Sequence, residues 1–405
     1  MKKKKQKKWL KFRHRAVRNI LFAILRPYTR WKYGFFPERF KDQKKGAYLI
    51  LFNHQTPFDQ FFVGMSFKKP VYYLASEDLF SNGWVSSLIR LLVAPIPIRK
   101  QTTDTHAVMT CLRVAREGGT IAIAPEGNRT YSGKTEFMNP AIAPLAKKLG
   151  LPIALYRIEG GYGVVPRWSD VLRKGKMRSY VSRVIEPEEY SKLSNQELYD
   201  IIRQELYVNE SADGEVYNSQ KRAEYLERAI YVCPKCGFST FESNKNAITC
   251  KKCHLEAIYG ANKFLSSADS SFPFATVNQW YEYQQDFVNA TDVTALTEAP
   301  LYNEQAAMSE VILFKKKVLL IKSANLRLYG NRITVNEGAD NSLEFPFDTV
   351  SAVTVLGRNK LNVYFGDKVY QFKGSRRFNA LKYVNLYFRY KNIVKGDEDA
   401  EFLGL

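Results

Sequence analysis

Two short segments of the chain carry side chains that could together perform proton transfer. In the first, Phe52-Asn53-His54-Gln55-Thr56-Pro57-Phe58-Asp59, four residues separate an imidazole from a carboxylate. An apolar run precedes this segment and a helical pattern follows it, so we expect a loop in which Asp59 returns beneath His54. A carboxylate bonded to one ring nitrogen fixes the tautomer and strengthens the other nitrogen as a base. The pair could therefore deprotonate an alcohol.

The same segment also has a purely structural interpretation. Thr56 resembles an N-cap, Pro57 a first helical residue, and Asp59 the acidic third position of a capping box. Short motifs have many false matches, so this segment alone leaves catalysis and helix capping both open.

The second segment, Pro125-Glu126-Gly127-Asn128-Arg129-Thr130, follows a predicted strand. Strand ends are where α/β folds bind ligands, and a glycine there lets a substrate approach the backbone closely. The guanidinium of Arg129 is a planar fork suited to phosphate. The alternative is a polar surface loop in which Glu126 and Arg129 pair with each other.

The elements that must position these residues alternate between short apolar runs and helical patterns, which predicts an α/β layer fold with a mixed sheet. The predicted helices begin near Pro57, Asn82, Asp104, Pro140 and Asn195. The predicted strands are Ala47–Phe52, Val71–Ala75, Ala94–Ile98, Thr120–Ala124, Ile153–Ile158 and Tyr180–Ile185.

Positive charge is concentrated at the N-terminus. Of a formal net charge of +21, the first 50 residues contribute 17 Lys and Arg against two acidic residues. From Lys2 to about Leu25 apolar residues recur with a helical period and basic residues fill the other side, as in helices that lie on anionic membranes. The alternative is a solvated basic tail followed by a helix docked on its own domain. No apolar run reaches the ~20 residues of a spanning helix, and no signal-peptide cleavage site follows. We therefore expect a peripheral protein on the cytoplasmic, inner face of the membrane.

Four blocks in sequence resemble the glycerolipid acyltransferases, especially the 1-acyl-glycerol-3-phosphate acyltransferases, over about residues 30–206. These blocks are Asn53-His54 with Asp59, Ile96-Pro97-Ile98-Arg99-Lys100, Pro125-Glu126-Gly127-Asn128-Arg129, and Leu151-Pro152-Ile153. The resemblance implies an acyltransferase domain in which His54 is the general base and Asp59 orients it.

The resemblance also implies a substrate-binding set. Gly127 would belong to the acyl-oxyanion environment, Arg99 and Arg129 would hold the acceptor phosphate, and Glu126 would shape the acceptor site. Asn53 and Asn128 complete the set. Two departures from the family pattern put acceptor specificity in doubt: Asn128 replaces a small hydroxyl residue, and Met138-Asn139-Pro140 stands where Lys-x-Gly is common.

The implied reaction moves a fatty acyl group from acyl-coenzyme A or acyl-carrier protein to 1-acyl-glycerol-3-phosphate, giving phosphatidic acid. Another lysophospholipid or glycerol 3-phosphate is an alternative acceptor. A rival of another class is a non-catalytic adaptor that binds lipid or nucleic acid on the same scaffold. Such an adaptor has no need for an intact His54 and Asp59.

The two C-x-x-C pairs, Cys233/Cys236 and Cys250/Cys253, predict a zinc ribbon. Four thiolates suit one tetrahedral, structural Zn²⁺ without an open position. His254 adjoins the last ligand and could substitute for it. Ribbons can bind nucleic acid, but no base-stacking platform is evident and most positive charge lies elsewhere, so nucleic acid is not the expected partner.

From Val311 the apolar period changes to two, which predicts short strands. Gly366-Asp367 is a plausible hairpin turn, and a final helix is expected from Ser375 to about Lys391. Strands followed by one amphipathic helix resemble a pleckstrin-homology-like domain. The expected domains are an interfacial helix (1–29), the acyltransferase domain (30–208), a helical linker (209–230), the ribbon (231–262), a connecting segment (263–308), the pleckstrin-like domain (309–393) and an acidic tail (394–405).

Overall fold

A computed structural model of the chain describes residues 8–98, 104–312, 315–397 and 400–404. The chain forms two compact units. The first contains the chain through Arg129, together with Thr135–Gly161 and Lys176–Val208. The second contains Thr130–Lys134, Tyr162–Gly175 and the chain from Asn209 onward.

The first unit contains a six-stranded sheet with helices packed against it. Its strands are β1 (Leu49–Phe52), β2 (Val71–Ser76), β3 (Ile96–Ile98), β4 (Thr120–Ile123), β5 (Ile153–Glu159) and β6 (Arg178–Ile185). Its helices are α1 (Phe12–Tyr33), α2 (Asp59–Ser66), α3 (Trp84–Leu92), α4 (Thr105–Arg116), α5 (Ile142–Leu149), α7 (Pro187–Tyr190) and α8 (Asn195–Leu206), while α6 (Gly161–Val164) spans the boundary between the two sets of residues.

The strand order is β3-β2-β4-β1-β5-β6. The first five strands along the chain pair in parallel and β6 is antiparallel to β5, so the predicted mixed sheet is confirmed. At the centre, Leu49 of β1 lies opposite Ile121 of β4 and Ile153 of β5, and all three are fully buried. Because β1 and β4 are parallel neighbours, the loops that follow them emerge at the same edge of the sheet.

Helix α1 extends beyond the end that the sequence pattern predicts, near Leu25. It continues through Pro27, although proline removes one backbone hydrogen bond, and ends at Gly34, whose φ of 78° is left-handed. Its last turn is held by packing: the Tyr33 ring lies 5.4 Å from that of Phe62 on α2. The start of the predicted basic helix, residues 1–7, lies outside the described residues. No helix in the described part of the chain is long and apolar enough to cross a bilayer.

The second unit begins with small antiparallel sheets that carry the cysteine pairs. Strands β7 (Val232–Cys233) and β8 (Gly237–Phe238) pair with each other. A four-stranded sheet, in the order β12-β11-β10-β9, is formed by β9 (Phe241–Asn244), β10 (Ala247–Cys250), β11 (Glu256–Tyr259) and β12 (Leu265–Ser266). Helix α9 (Val277–Ala290) follows, and its buried Trp280 donates from Nε1 to the Val232 carbonyl at 2.9 Å.

The helix expected within residues 209–230 is not formed. The segment consists of turns with one short 3₁₀ turn, Leu226–Arg228. Tertiary hydrogen bonds take the place of helical ones in this segment. Ala223 N–H donates to Lys245 O, and Tyr225, whose φ is 73°, donates from N–H to Ser243 Oγ. These contacts override the local helical spacing of its apolar residues.

The remainder of the second unit is a seven-stranded antiparallel sheet followed by a helix. Its strand order is β16-β15-β14-β13-β19-β18-β17. Its elements are β13 (Tyr302–Glu310), β14 (Val318–Leu328), β15 (Arg332–Val335), β16 (Leu343–Pro346), β17 (Val350–Leu356), β18 (Lys360–Phe365), β19 (Lys368–Gly374) and α10 (Leu381–Val394).

This sheet agrees with the sequence expectations at one turn and differs from them elsewhere. Gly366-Asp367 forms the predicted two-residue turn, because Phe365 pairs directly with Lys368. The first strand starts at Tyr302, within the segment expected to be a connection. The last described residues are packed: Leu403 is buried and its carbonyl accepts a hydrogen bond of 2.8 Å from Asn385 Nδ2 on α10.

Candidate functional site

The loop that follows β1 brings the predicted acid–base pair together. His54 Nδ1 lies 2.7 Å from Asp59 Oδ2. The Asp59 side chain is fully buried, whereas a quarter of the His54 side chain is exposed. With Nδ1–H donated to the carboxylate, the proton-accepting lone pair of the imidazole is on Nε2. The geometry therefore suits a general base oriented by a carboxylate.

Further hydrogen bonds fix the position of the Asp59 carboxylate. Gln55 N–H donates to it at 2.7 Å, and Thr56 donates both from N–H, at 2.9 Å, and from Oγ1, at 2.6 Å. These donors precede α2, whose first residue is Asp59 itself. The bond from Thr56 N–H is the one expected of a capping box, and the bonds from Gln55 and His54 go beyond it, so the carboxylate both caps the turn before α2 and orders the His54 loop.

Glu126 joins the second segment to the first. Its Oε1 accepts a hydrogen bond of 2.8 Å from the His54 backbone N–H, across 72 residues of sequence. Burial raises the pKa of Glu126 to about 8, and the hydrogen bond from His54 partly opposes that rise. Glu126 thus helps to hold the His54 loop in place while its own carboxyl is largely protonated at neutral pH.

Gly127 gives the loop after β4 an open backbone. Its φ is +67°, a conformation that other residues rarely adopt, and a Cβ placed there would meet no atom within 4 Å. Asn128 is half-buried and Arg129 is only 9% exposed. The backbone at Gly127 is therefore uncrowded and exposed, and Arg129 follows two residues later.

Asn53, which was expected to contact substrate, has a structural position instead. It is fully buried, its Nδ2 donates to Ile158 O and its Oδ1 accepts from Ile158 N–H, both at 2.8 Å. Both ends of the amide therefore join the ends of β1 and β5, which positions the neighbouring His54. Arg99, the other expected phosphate contact, lies outside the described residues.

The sequence identified Thr56 only as a helix cap, and it did not reveal the packing of Gly161 beside the His54 loop. Thr56 contributes two of the hydrogen bonds to Asp59. Gly161 packs beside the loop, since a Cβ on it would lie 2.6 Å from Gln55 Cβ, while the preceding Gly160 packs against the backbone of Lys176. The adjacent glycines were the only available signal, and the space they need becomes apparent only when the contacts are known.

Glu126 gives the first unit a pH-dependent stability that can be tested. Because its folded-state pKa is about 8 and its ordinary value 4.5, the folded protein retains a proton that the unfolded chain loses in this range. The free energy of unfolding should therefore fall as pH rises from about 4.5 to about 8. Glu126→Gln, which stays neutral and keeps a carbonyl for His54 N–H, should remove this decline. Urea unfolding of both proteins across this pH range measures the difference.

Glu188→Gln is the matched control, because Glu188 is an exposed glutamate of the first unit. Its unfolding curve should follow that of the wild type at each pH. If Glu126→Gln also follows the wild type throughout, Glu126 does not hold a proton in the folded state.

Four cysteines of the second unit converge on one point. The Sγ atoms of Cys233 and Cys253 are 3.5 Å apart, those of Cys236 and Cys250 are 3.6 Å apart, and all four lie within 4.8 Å of one another. These distances exceed the ~2.05 Å of a disulfide and are close to the ~3.8 Å between thiolates around tetrahedral zinc. The cluster could therefore hold a metal ion. His254 is not part of it; its backbone N–H bonds to Cys250 O at 3.0 Å.

Comparison with known proteins relates the first unit to acyltransferases. Residues 36–158 match the family model described as Acyltransferase. The 1-acyl-sn-glycerol-3-phosphate acyltransferase of Bacillus subtilis is 24% identical over 129 residues, which are 31% of this chain and 60% of that protein. The protein of the same name from Borreliella burgdorferi is 28% identical over 118 residues, 28% of this chain and 47% of that protein. The chain thus spans about half to three fifths of these curated relatives.

Among solved structures, the crystal structure of a 1-acyl-sn-glycerophosphate acyltransferase from Thermotoga maritima is similar. Its TM-score is 0.39 at 19% sequence identity, and the match covers 48% of this chain and 80% of that one.

Proposed function

We propose that this chain transfers a fatty acyl group from an acyl thioester to the free hydroxyl of 1-acyl-glycerol-3-phosphate, which gives phosphatidic acid. The donor is acyl-coenzyme A or acyl-carrier protein. The observation that carries the proposal is the 2.7 Å contact between His54 and Asp59 inside the segment that matches the acyltransferase model. The names of the two curated relatives support the choice of acceptor.

In the proposed mechanism His54 acts as a general base. Its Nε2 takes the proton of the acceptor hydroxyl while Nδ1–H remains bonded to Asp59. The acceptor oxygen attacks the thioester carbonyl, the new C–O bond forms and the C–S bond breaks. The proton passes from His54 to the departing thiolate, so the base is regenerated without a covalent acyl-enzyme.

The loop after β4 would bind the acceptor and the developing negative charge. The open backbone at Gly127 lets the thioester carbonyl approach, and Arg129 and Arg99 would hold the phosphate as guanidinium forks. Glu126 acts through its bond to the His54 backbone. Asn128, in place of a small hydroxyl residue, would contact the acceptor and influence which lysolipid is used.

The direct test is acyl transfer by the purified chain. Lysophosphatidate, glycerol 3-phosphate and a lysophospholipid with a larger headgroup are offered separately with acyl-coenzyme A, and then with acyl-carrier protein as donor. Conversion of lysophosphatidate to phosphatidic acid supports the proposal. Preference for another acceptor moves the assignment within the acyltransferases, and absence of transfer with all acceptors and both donors favours the non-catalytic adaptor.

We also propose that the enzyme works on an anionic membrane surface, as a peripheral protein of the cytoplasmic face. Helix α1 exposes Ile20, Ile24 and Trp31 besides its basic residues, and Trp31 is 80% exposed. The neighbouring helix α3 exposes Trp84 and Leu88, and Arg13 Nε on α1 bonds to Leu91 O on α3 at 2.7 Å. Exposed apolar and aromatic side chains flanked by cations suit an interface between lipid and water.

Ile20→Gln combined with Ile24→Gln should weaken binding to anionic vesicles. Burial of an isoleucine side chain stabilises by about 1.5–3 kcal/mol, so even partial insertion predicts a loss of about tenfold or more in partitioning. Vesicle sedimentation measures it. Val394→Gln, at an exposed apolar position on α10 of the second unit, is the control and should bind like the wild type. Equal binding by all three proteins would contradict the role of α1.

For the second unit we propose a structural zinc ribbon and a pleckstrin-homology-like module. A seven-stranded antiparallel sheet in which the first strand pairs with the second and the seventh, followed by one helix, supports the latter. The four-cysteine cluster supports the former, with zinc stabilising the hairpins that carry the thiolates. Both modules would localise or regulate the enzyme, and neither requires nucleic acid.

A further inference from the structure

A cavity of about 400 Å³ lies between α1 and the end of α2 in the first unit. Its lining includes the apolar side chains of Phe22, Phe40 and Phe67. Nothing in the proposed reaction uses it, because its walls include neither the His54 loop nor the loop after β4. Helix α2 separates the two places: His54 precedes its start, while Met65 and Ser66 at its end line the cavity, about 12 Å further along the axis.

The cavity is strongly cationic. Arg18, Arg26, Arg39 and Lys68 line it, and none of its lining residues is acidic. Burial, followed by the nearby charge of Arg26, lowers the pKa of Arg18; burial, followed by the charge of Arg39, lowers that of Arg26. Arg18 and Arg26 are half-buried and Arg39 and Lys68 are exposed, so solvent screens part of this repulsion and a bound anion would offset the rest.

A structural role accounts for only part of this arrangement. Arg18 Nη2 donates to Phe67 O, and Arg26 Nη2 donates to Met65 O at 3.0 Å, so both arginines bind carbonyls near the C-terminal end of α2. Arg18 Nε, however, is buried with no hydrogen-bond partner in the described part of the chain. The side chains of Arg39 and Lys68 make no hydrogen bond or ion pair with any described residue. Several cationic donors therefore face the cavity without an acceptor.

We propose that this cavity binds a phosphate group, carried by an anionic phospholipid headgroup or present as free phosphate. Guanidinium forks and an ammonium group together match the oxygens of phosphate, and the phenylalanine rings provide an apolar wall for the glycerol end of a lipid. The site is separate from the acceptor site at Arg129. It would hold a lipid that is not the substrate and fix α1 on a membrane rich in such lipids.

The test uses the full chain with the double variant Arg39→Ala/Lys68→Ala. Both side chains are outside the hydrogen-bonded framework, so the fold should persist. Arg203→Ala/Lys192→Ala is the matched control, because it removes one arginine and one lysine, both exposed, from the same unit without touching the cavity. One arm measures the thermal midpoint against inorganic phosphate. The other measures sedimentation with phosphatidylcholine vesicles, with and without phosphatidic acid.

We expect the cavity variant to bind its phosphate ligand about ten- to a hundred-fold more weakly than the control, since each charge-assisted hydrogen bond lost has an effect of that order. A loss in the vesicle arm identifies a lipid headgroup as the ligand, and a loss confined to the inorganic phosphate arm identifies free phosphate. If the cavity variant and the control match in both arms, the cavity is not a phosphate site. Neither readout depends on acyl transfer, so a failure of the proposed reaction would leave this result intact.

Discussion

Replacement of His54 by alanine is expected to lower kcat for acyl transfer by about a hundred- to ten-thousand-fold. The loop, the buried Asp59 and the backbone bond to Glu126 do not depend on the imidazole, so acceptor binding should change little and KM should stay near its wild-type value. The measurement is initial-rate kinetics with acyl-coenzyme A and lysophosphatidate. A fall in kcat without a rise in KM separates a catalytic role from a binding role.

Asp59→Asn tests how the imidazole is oriented. An asparagine with its amide nitrogen at the Oδ2 position donates to His54 Nδ1 and favours the tautomer with the proton on Nε2; its Oδ1 still accepts from Thr56 Oγ1, whereas Gln55 N–H loses its acceptor. That tautomer cannot act as the base, so we expect a fall in kcat comparable to that of His54→Ala. Because Asp59 is fully buried, the thermal midpoint of the Asp59→Asn variant must be measured alongside its rate.

His106→Ala is the control for the loss of an imidazole. His106 is exposed on α4 and should be dispensable for both activity and stability. Wild-type rates in His54→Ala, with the fold intact, would exclude the proposed mechanism. Such a result would leave an acyltransferase-like scaffold whose His54 and Asp59 only order a loop.

The sequence could predict the contact between His54 and Asp59 because its geometry is local. His54 and Asp59 are five residues apart, so a strand end and a helix start suffice to bring them together. The role of Asn53 could not be predicted, because its partner Ile158 is 105 residues away. The bond between Glu126 and the His54 backbone likewise depends on which strands are neighbours, and no local pattern contains that information.

The same distinction between local and long-range contacts explains which strands and helices could be predicted. The central strands β1 and β4 are apolar runs buried on both faces, as parallel strands usually are, and their positions were predicted well. Strand β13 is mostly polar, and only Tyr302, Ala306 and Met308 of its nine residues are buried, so its pattern was too weak to read. The helix expected within residues 209–230 was predicted wrongly for the opposite reason. Its apolar residues have a helical spacing, but the hydrogen bonds of the segment go to residues 243–246.

Replacement of Cys233 by serine is expected to abolish metal binding and unfold the cysteine-bearing hairpins. Zinc bound by four thiolates contributes on the order of 10–16 kcal/mol in small zinc domains, which is as large as the whole stability of a typical domain. Cys233 and Cys250 are fully buried in a core that also contains Trp280 of α9. Loss of the metal should therefore destabilise more of the second unit than the hairpins alone.

Metal analysis of the purified chain and thermal unfolding measure this effect together. We expect about one zinc per wild-type chain, none in Cys233→Ser, and a lower unfolding midpoint for the second unit after chelation. Cys111→Ala is the matched control, because Cys111 is a buried cysteine of the first unit. His254→Ala should also retain zinc, since four thiolates already complete the tetrahedron. If His254→Ala loses its zinc, the ligand set contains the His254 imidazole in place of one thiolate. If the wild type contains no zinc and chelation leaves its stability unchanged, the cysteines pack without a metal.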